Sequence, residues 1–253
     1  MRYFALISTL PFFGLAYQAA ANSLPINPEA RLQVGANVGY TISAYDVENT
    51  TSILPQAFYD NNRLYLEGSE GGFYPYKSQK HHVRLGISYD GREFDPSDAN
   101  TSALQQLDER QWSALFHASY MYITPVGGFK IKVAQDALNR HDGTAITVSH
   151  LSKFNQGNVT IYPVIGATWY DDKYNSYYYG ISQSESDKSG LTTQTINAGI
   201  SPFVSVAVNY KLNERMALFV NQKAEWLSGS QKDSQLVDGK VQATTRLGVN
   251  YTF

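Results

Sequence analysis

Cysteine is absent from the 253 residues, which excludes disulfides and thiolate metal sites and leaves burial and backbone pairing to hold the fold. Charge is scarce and balanced: 20 basic against 22 acidic residues, a net of −2, with charged residues at only 17%. No basic surface is available for nucleic acid, so that partner class is excluded. After the first residues, no apolar run approaches the ~18–20 consecutive positions a membrane helix requires. Repeats and low-complexity tracts are missing as well. Mean hydropathy is −0.33, which alone reads as soluble. A membrane barrel, however, alternates lipid-facing and lumen-facing residues, so its average hydropathy is unremarkable.

What the chain does have begins with its N-terminus. Arg2, the apolar stretch Tyr3 to Leu15 and the small residues Ala19 and Ala21 form the pattern of a secretory signal over residues 1–21. Export through a cleaved leader is therefore expected, with one domain over 22–253. Tyrosine is abundant, at 19 residues. Period-two alternation then recurs almost throughout. Leu32, Val34, Ala36, Val38, Tyr40 and Ile42 share one face, with Gln33, Gly35, Asn37, Gly39 and Thr41 opposite. Trp112 to Tyr122, Phe129 to Val133 and Val204 to Tyr210 repeat the pattern, and the chain closes on VQATTRLGVNYTF. Successive side chains of a strand point to opposite faces, so each segment has an apolar and a polar side.

Connections alternate in length. The stretches 91–109, 171–194 and 228–239 are long and NRHDG is moderate, while 124–128, 155–157 and 211–215 are tight. Outer-membrane barrels have short periplasmic turns and longer external loops. Tyr89, Trp112, Tyr122, Trp169, Tyr210, Trp226, Tyr251 and Phe253 stand at strand ends, where interfacial aromatic girdles belong. These observations predict an all-β fold: a transmembrane antiparallel up-and-down β-barrel of about 12 strands, with 10 as the alternative. Eight strands lie beyond residue 79, and 31–74 hold two to four. On the predicted parity Arg84, Lys130, Lys132, Lys223, Glu225 and Arg246 point into the lumen. There they either line a pore or neutralise one another.

Residues that carry chemistry are few. His141 and Asp142 are adjacent in an external turn, but Asn-Arg-His-Asp-Gly is also good turn chemistry. His81 and His82 flank a polar turn, and His117 and His150 are placed in strands facing the lumen. No spacing matches a metal site, and no cofactor is expected. Asp171, Asp172, Glu185 and Asp187 read as a solvated acidic loop rather than a cation site.

DALNRHDG at 136–143, WYDDKYNSYYYGIS at 169–182 and KSGL at 188–191 together resemble the MipA/OmpV family of outer-membrane proteins. Its pattern falls on Asp136, Leu138, His141, Asp142 and Gly143, then on Asp171, Asp172, Tyr174, Tyr179 and Gly180, and on Ser189 and Gly190. The resemblance implies structural turns and loops at these positions, and no catalytic residues. It also implies a non-enzymatic barrel in the Gram-negative outer membrane, among lipid and lipopolysaccharide. Its partners would be peptidoglycan-remodelling proteins, a lytic transglycosylase and a murein synthase, for which it is a scaffold. A small diffusion channel, or an adhesion- or stress-related barrel, is the alternative. Tyr251 and the terminal Phe253 resemble the signal read by the barrel-assembly machinery.

Overall fold

Strand alternation builds the wall, and the computed structural model describes it over residues 23–253; the expected leader lies outside the described residues. The strands are β1 (Gln33–Ile42), β2 (Thr50–Asp60), β3 (Leu64–Gly68), β4 (Glu70–Lys77), β5 (His81–Asp90), β6 (Ser113–Thr124) and β7 (Gly127–Asp136). They continue as β8 (Thr144–Leu151), β9 (Phe154–Gln156), β10 (Val159–Tyr170), β11 (Gly199–Lys211), β12 (Met216–Trp226) and β13 (Val241–Thr252). Each pairs antiparallel with its neighbours, and β13 pairs with β1 from Gln33↔Thr252 to Ile42↔Ala243, which closes the ring. Closure leaves no sheet edge facing lipid along this seam.

β8 and β9 both pair with β10 and form one interrupted stave, so the closed barrel has twelve staves. The interruption at Ser152–Lys153 faces Tyr162 and Pro163 of β10, between the pairs Leu151↔Val164 and Phe154↔Ile161. A proline has no N–H to give the ladder, so pairing there thins to the bond from Ser152 N to the Pro163 carbonyl at 3.0 Å. The apolar parity faces outward. Val34, Val38, Ile131, Val148, Ile165, Val204 and Leu247 are all exposed, Ile53 by 75%. Trp112, Trp169, Trp226, Tyr122, Tyr210 and Tyr251 are exposed at strand ends. His150 belongs to this outer face too, its ring 4.5 Å from the exposed Phe129, because it shares parity with Val148. The lumen expected for it is therefore wrong.

The ambiguous N-terminal third resolves into four strands. After β2 come two short strands, β3 and β4, in a hairpin turning at Gly68–Ser69. This hairpin stops low. β2 pairs with β3 only over Ala57–Asp60, so Thr50–Gln56 pair with β1 alone.

The hydrophobic core lies almost wholly outside the wall. Its buried members are Ala44, Tyr45, Phe94, Ala99, Leu104, Leu107, Tyr174, Tyr178, Tyr179, Ile181, Ile196, Leu227 and Leu236, with Ala145 and Tyr170 at strand ends. Nearly all belong to the long connections 43–49, 91–112, 171–198 and 227–240. These contain helices α1 (Asp172–Tyr179), α2 (Gln183–Ser189) and α3 (Gly229–Lys232), and 3-10 turns at Pro96–Asp98 and Leu104–Gln106. The loops make a packed cap over one end of the barrel.

Candidate functional site

Each cap element is specified locally. Asp171 caps α1 by accepting from Tyr174 N at 2.8 Å, and its other oxygen accepts from Thr144 N at 2.8 Å. Ser182 and Glu185 form a capping box at α2, and Gly190 ends that helix in a left-handed turn. Ser228 and Gln231 form another at α3. Such reciprocal caps satisfy the orphan N–H groups of helices too short to persist alone. The segment predicted as a solvated acidic loop is thus folded. Glu185 is buried, receives Arg110 at 2.6 Å and accepts from Asp108 N at 3.0 Å. Burial opposes its charge, but the Ser182 and Asp108 N–H groups and Arg110 hold its pKa below the usual carboxylate range.

The cap is tied across the mouth by Arg92. It donates from Nε to the Tyr174 hydroxyl at 3.0 Å and from Nη1 to the Tyr179 hydroxyl. Its Nη2 reaches Glu225 at 2.6 Å, and Lys223 meets the other Glu225 oxygen at 2.8 Å. Arg92 follows β5 and Glu225 is on β12, half the ring away through β6, β7, β8, β10 and β11. Burial opposes the Arg92 charge, but the tyrosine oxygens and Glu225 hold its pKa above the ordinary value. Burial likewise pushes Tyr179 up to about 12. Further ties run between loops: the Tyr45 hydroxyl to the Tyr178 carbonyl at 3.1 Å, and Gln231 Nε2 to Asn175 Oδ1 at 2.9 Å. Sequence reasoning missed Arg92, Arg110 and Gln231, because nothing in a polar loop tells which charge will be buried. The tyrosine density at 170–179 was the available signal.

The blocks 136–143 and 169–182 meet face to face. The Asp136 carboxylate gathers the turn, accepting from the N–H of Leu138, Arg140, His141 and Asp142 at 2.6–3.0 Å and from Ser113 Oγ at 2.5 Å. Asp142 adopts φ 51°, and His141 lies buried among Tyr174, Tyr177 and Tyr178, ring centroids 4.9–5.8 Å away. Burial lowers its pKa although Asp136, Asp90, Asp171 and Asp142 act the other way. Gly143 abuts α1: a Cβ there would stand 2.5 Å from Tyr174 N. Leu138 is exposed beside this turn, and Asp172 opens α1. Gly180 closes α1, and its carbonyl accepts from Arg110 at 3.1 Å; Ser189 donates to the Glu185 carbonyl at 2.7 Å. His141 and Asp142 are used by packing and the turn.

Below the cap, the inward charges pair. Arg84 meets Glu67 at 2.5 Å, and Glu70 receives Lys132 at 2.7 Å and Lys130 at 3.7 Å. The His117 ring bonds the Tyr65 hydroxyl at 2.9 Å. His81, on β5, stacks on Tyr120 and Tyr122. Arg246 differs: among the described residues it has no acidic partner, and its buried Nε has no hydrogen bond. At the other end of the barrel, Phe253 N donates to the Leu32 carbonyl at 3.0 Å, and the Tyr251 and Phe253 rings meet edge to face at 5.0 Å.

The short hairpin opens a window in the wall. One side is the unpaired edge of β2, the sill is Gly68–Ser69, and the other side is the end of β5, where Tyr89 N donates to the Ser69 carbonyl. The lintel is made where loop 43–49 meets loop 91–112, through Val47↔Ala99, Glu48 N to Asp98 O and Asn100 to Asp46. Behind it lies a cavity of about 290 Å³, bounded by Ser52, Tyr89, Glu93, Asp98, Lys223 and Arg246 among others. At ~3.3 Å per residue the free β2 edge runs for roughly 20 Å along a tilted strand.

The family model described as "MltA-interacting protein MipA" matches residues 34–253. The chain belongs to the MipA family. A putative outer membrane protein, YiaT, of Escherichia coli (strain K12) is 30% identical over 242 residues, covering 95% of this chain and 96% of that one. The MltA-interacting protein of the same strain is 24% identical over 248 residues, covering 98% and 100%. Among solved structures, the NanC porin matches at 10% identity with a TM-score of 0.47, covering 87% of this chain and 100% of that one. The chain is thus a MipA family member with a transmembrane barrel fold, and its stretches 136–143 and 169–182 hold one another in the cap.

Proposed function

We propose that this protein resides in the Gram-negative outer membrane and serves there, without catalysing a reaction, as a scaffold for peptidoglycan-remodelling enzymes. The partners in this reading are a lytic transglycosylase, as the name of the MltA-interacting relative records for that protein, and a murein synthase. The observation that carries it is the packed mouth. A barrel whose loops form a buried core, tied by Arg92 to Glu225, is built as a rigid body rather than an open pore. Surfaces for a periplasmic partner lie at the end with short turns. There the segment 23–31 straps the rim: Leu24 N donates to the Lys77 carbonyl at 2.7 Å, Asn27 N to the Asn61 carbonyl at 2.9 Å, and Asn62 Nδ2 to the Pro25 carbonyl at 2.9 Å. The strap enlarges a face the turns alone would leave thin.

Crosslinking and pull-down from solubilised native membranes tests the reading. Murein enzymes should be enriched, and replacing Pro25–Asn27 by glycines should reduce the yield. Absence of any murein enzyme would sink the scaffold. Planar-bilayer recordings of the folded protein should be silent, and stepwise conductance would move the function to a diffusion channel.

A further inference from the structure

We propose that the window in the wall is a docking site for a membrane lipid with a phosphoethanolamine headgroup, its phosphate on Arg246 and its ammonium at Glu93, Asp95 and Asp98. The inference stands apart from the scaffold reading and rests on three observations. The first is position. The window is flanked by the lipid-facing Ile53, 75% exposed, and by Ile87, so it opens sideways toward acyl chains rather than upward through the cap. The second is the β2 edge. Unpaired backbone N–H and C=O groups at membrane depth are costly unless a polar group meets them. Over Thr50–Gln56 the barrel supplies none from a neighbouring strand, and Pro55 reduces the donors needed by one. The ester and glycerol oxygens of a lipid, with its water, supply the remainder.

The third is charge. Arg246 stands on the cavity wall, its stem laid over Gly39, whose Cβ position is 3.5 Å from Arg246 Cγ. Among the described residues it has no acidic partner, while Glu93, Asp95 and Asp98, exposed on loop 91–112, line the same cavity without a basic one. Of the other cavity charges, Arg92 and Lys223 both hold Glu225, and the Asp90 carboxylate accepts from the Tyr174 hydroxyl at 2.8 Å and from Arg92 N at 3.3 Å. One unpaired cation and a separate unpaired acidic rim complement a zwitterion, not a simple anion. A second copy of the chain fits poorly, because Pro55 interrupts the edge that strand addition would extend.

Native mass spectrometry of the refolded full chain, titrated with short-chain phosphatidylethanolamine, phosphatidylglycerol or inorganic phosphate, tests this. Phosphatidylethanolamine should bind saturably and in preference to phosphatidylglycerol. Arg246→Gln should weaken it about tenfold or more, the scale of one lost charged hydrogen bond. Glu93→Gln with Asp98→Asn should erase the preference over phosphatidylglycerol. Ser52→Phe, which fills the window and spares every charge, should block binding by itself. Heat-modifiable migration on gels verifies that each variant is folded. Equal binding of the two lipids by the unmodified chain would overturn the proposal, as would retention unchanged in both Arg246→Gln and Ser52→Phe. Phosphate competing as well as the lipid would overturn it in favour of a free-anion site.

Discussion

The wall and the cap use the same kinds of side chain in opposite ways. In the wall, valine, isoleucine and leucine point outward and remain exposed, and polar groups fill the inside. In the cap, tyrosine, leucine and isoleucine turn inward and shut out water, as in a soluble domain. Lipid is as apolar as leucine, so wall residues gain little from touching one another. Cap residues leave water, and each large side chain so buried contributes about 1.5–3 kcal/mol. One chain therefore carries two stability logics, backbone pairing below and a hydrophobic core above.

Substitutions that separate the two regions test this contrast. The largest effects fall on the cap. Tyr178→Ala removes a fully buried ring and should destabilise the cap by about 3–5 kcal/mol. Ile53→Ala, on the lipid face, should leave both regions intact. Hydrogen exchange across 43–49 and 171–198, read beside heat-modifiable migration, distinguishes them. Arg92→Ala should cost about 3–5 kcal/mol, because Glu225 stays buried with Lys223 as its remaining cation. It should raise loop exchange and protease cleavage while the wall stays folded. Loss of both regions together would refute the division.

Gly143→Ala sharpens the contrast at its boundary. It presses a methyl into the α1 backbone and should cost about 1–3 kcal/mol, visible as faster exchange in 136–143 and 172–179 together. The smallest effect is acid. Because the folded cap holds His141 below its ordinary pKa of 6.5, unfolded loops bind its proton more readily. Its contribution is complete above that value and declines as pH falls through the folded pKa. Glu93 acts in the opposite sense, since burial and then Asp95, Glu109 and Asp98 raise its pKa. The His141 part is therefore read as the difference between the parent chain and His141→Phe, whose loop exchange should depend less on pH between 7 and 5.

How far the sequence could be read follows the same division. Wall residues obey a period of two, so the two faces were legible from stretches such as Val241 to Phe253, and loop parity from the lengths of the connections; β13 pairs without a slip on both sides. The β3–β4 hairpin was harder, since the stretch LYLEGSEGGFY has no clean apolar–polar alternation to show where one strand ends and the next begins. The cap was nearly invisible. Its helices are four to eight residues long, too short for periodicity to show. Its contacts join segments such as Tyr45 and Tyr178 that are far apart along the chain. The stretches 136–143 and 169–182 marked where the cap lies without saying that it is packed. Arg246 was placed on the inner parity from alternation, but its missing partner is a fact of three dimensions.

The tie from Arg92 to Glu225 has a kinetic consequence. Residues half a ring apart meet across the mouth only when the sheet has curled into a ring. The tie is thus a latch that drops after the barrel-forming step. Interactions that arise after a transition state slow unfolding without hastening folding. The latch should therefore lengthen the lifetime of the finished barrel, while the rate at which the barrel forms is set by the wall.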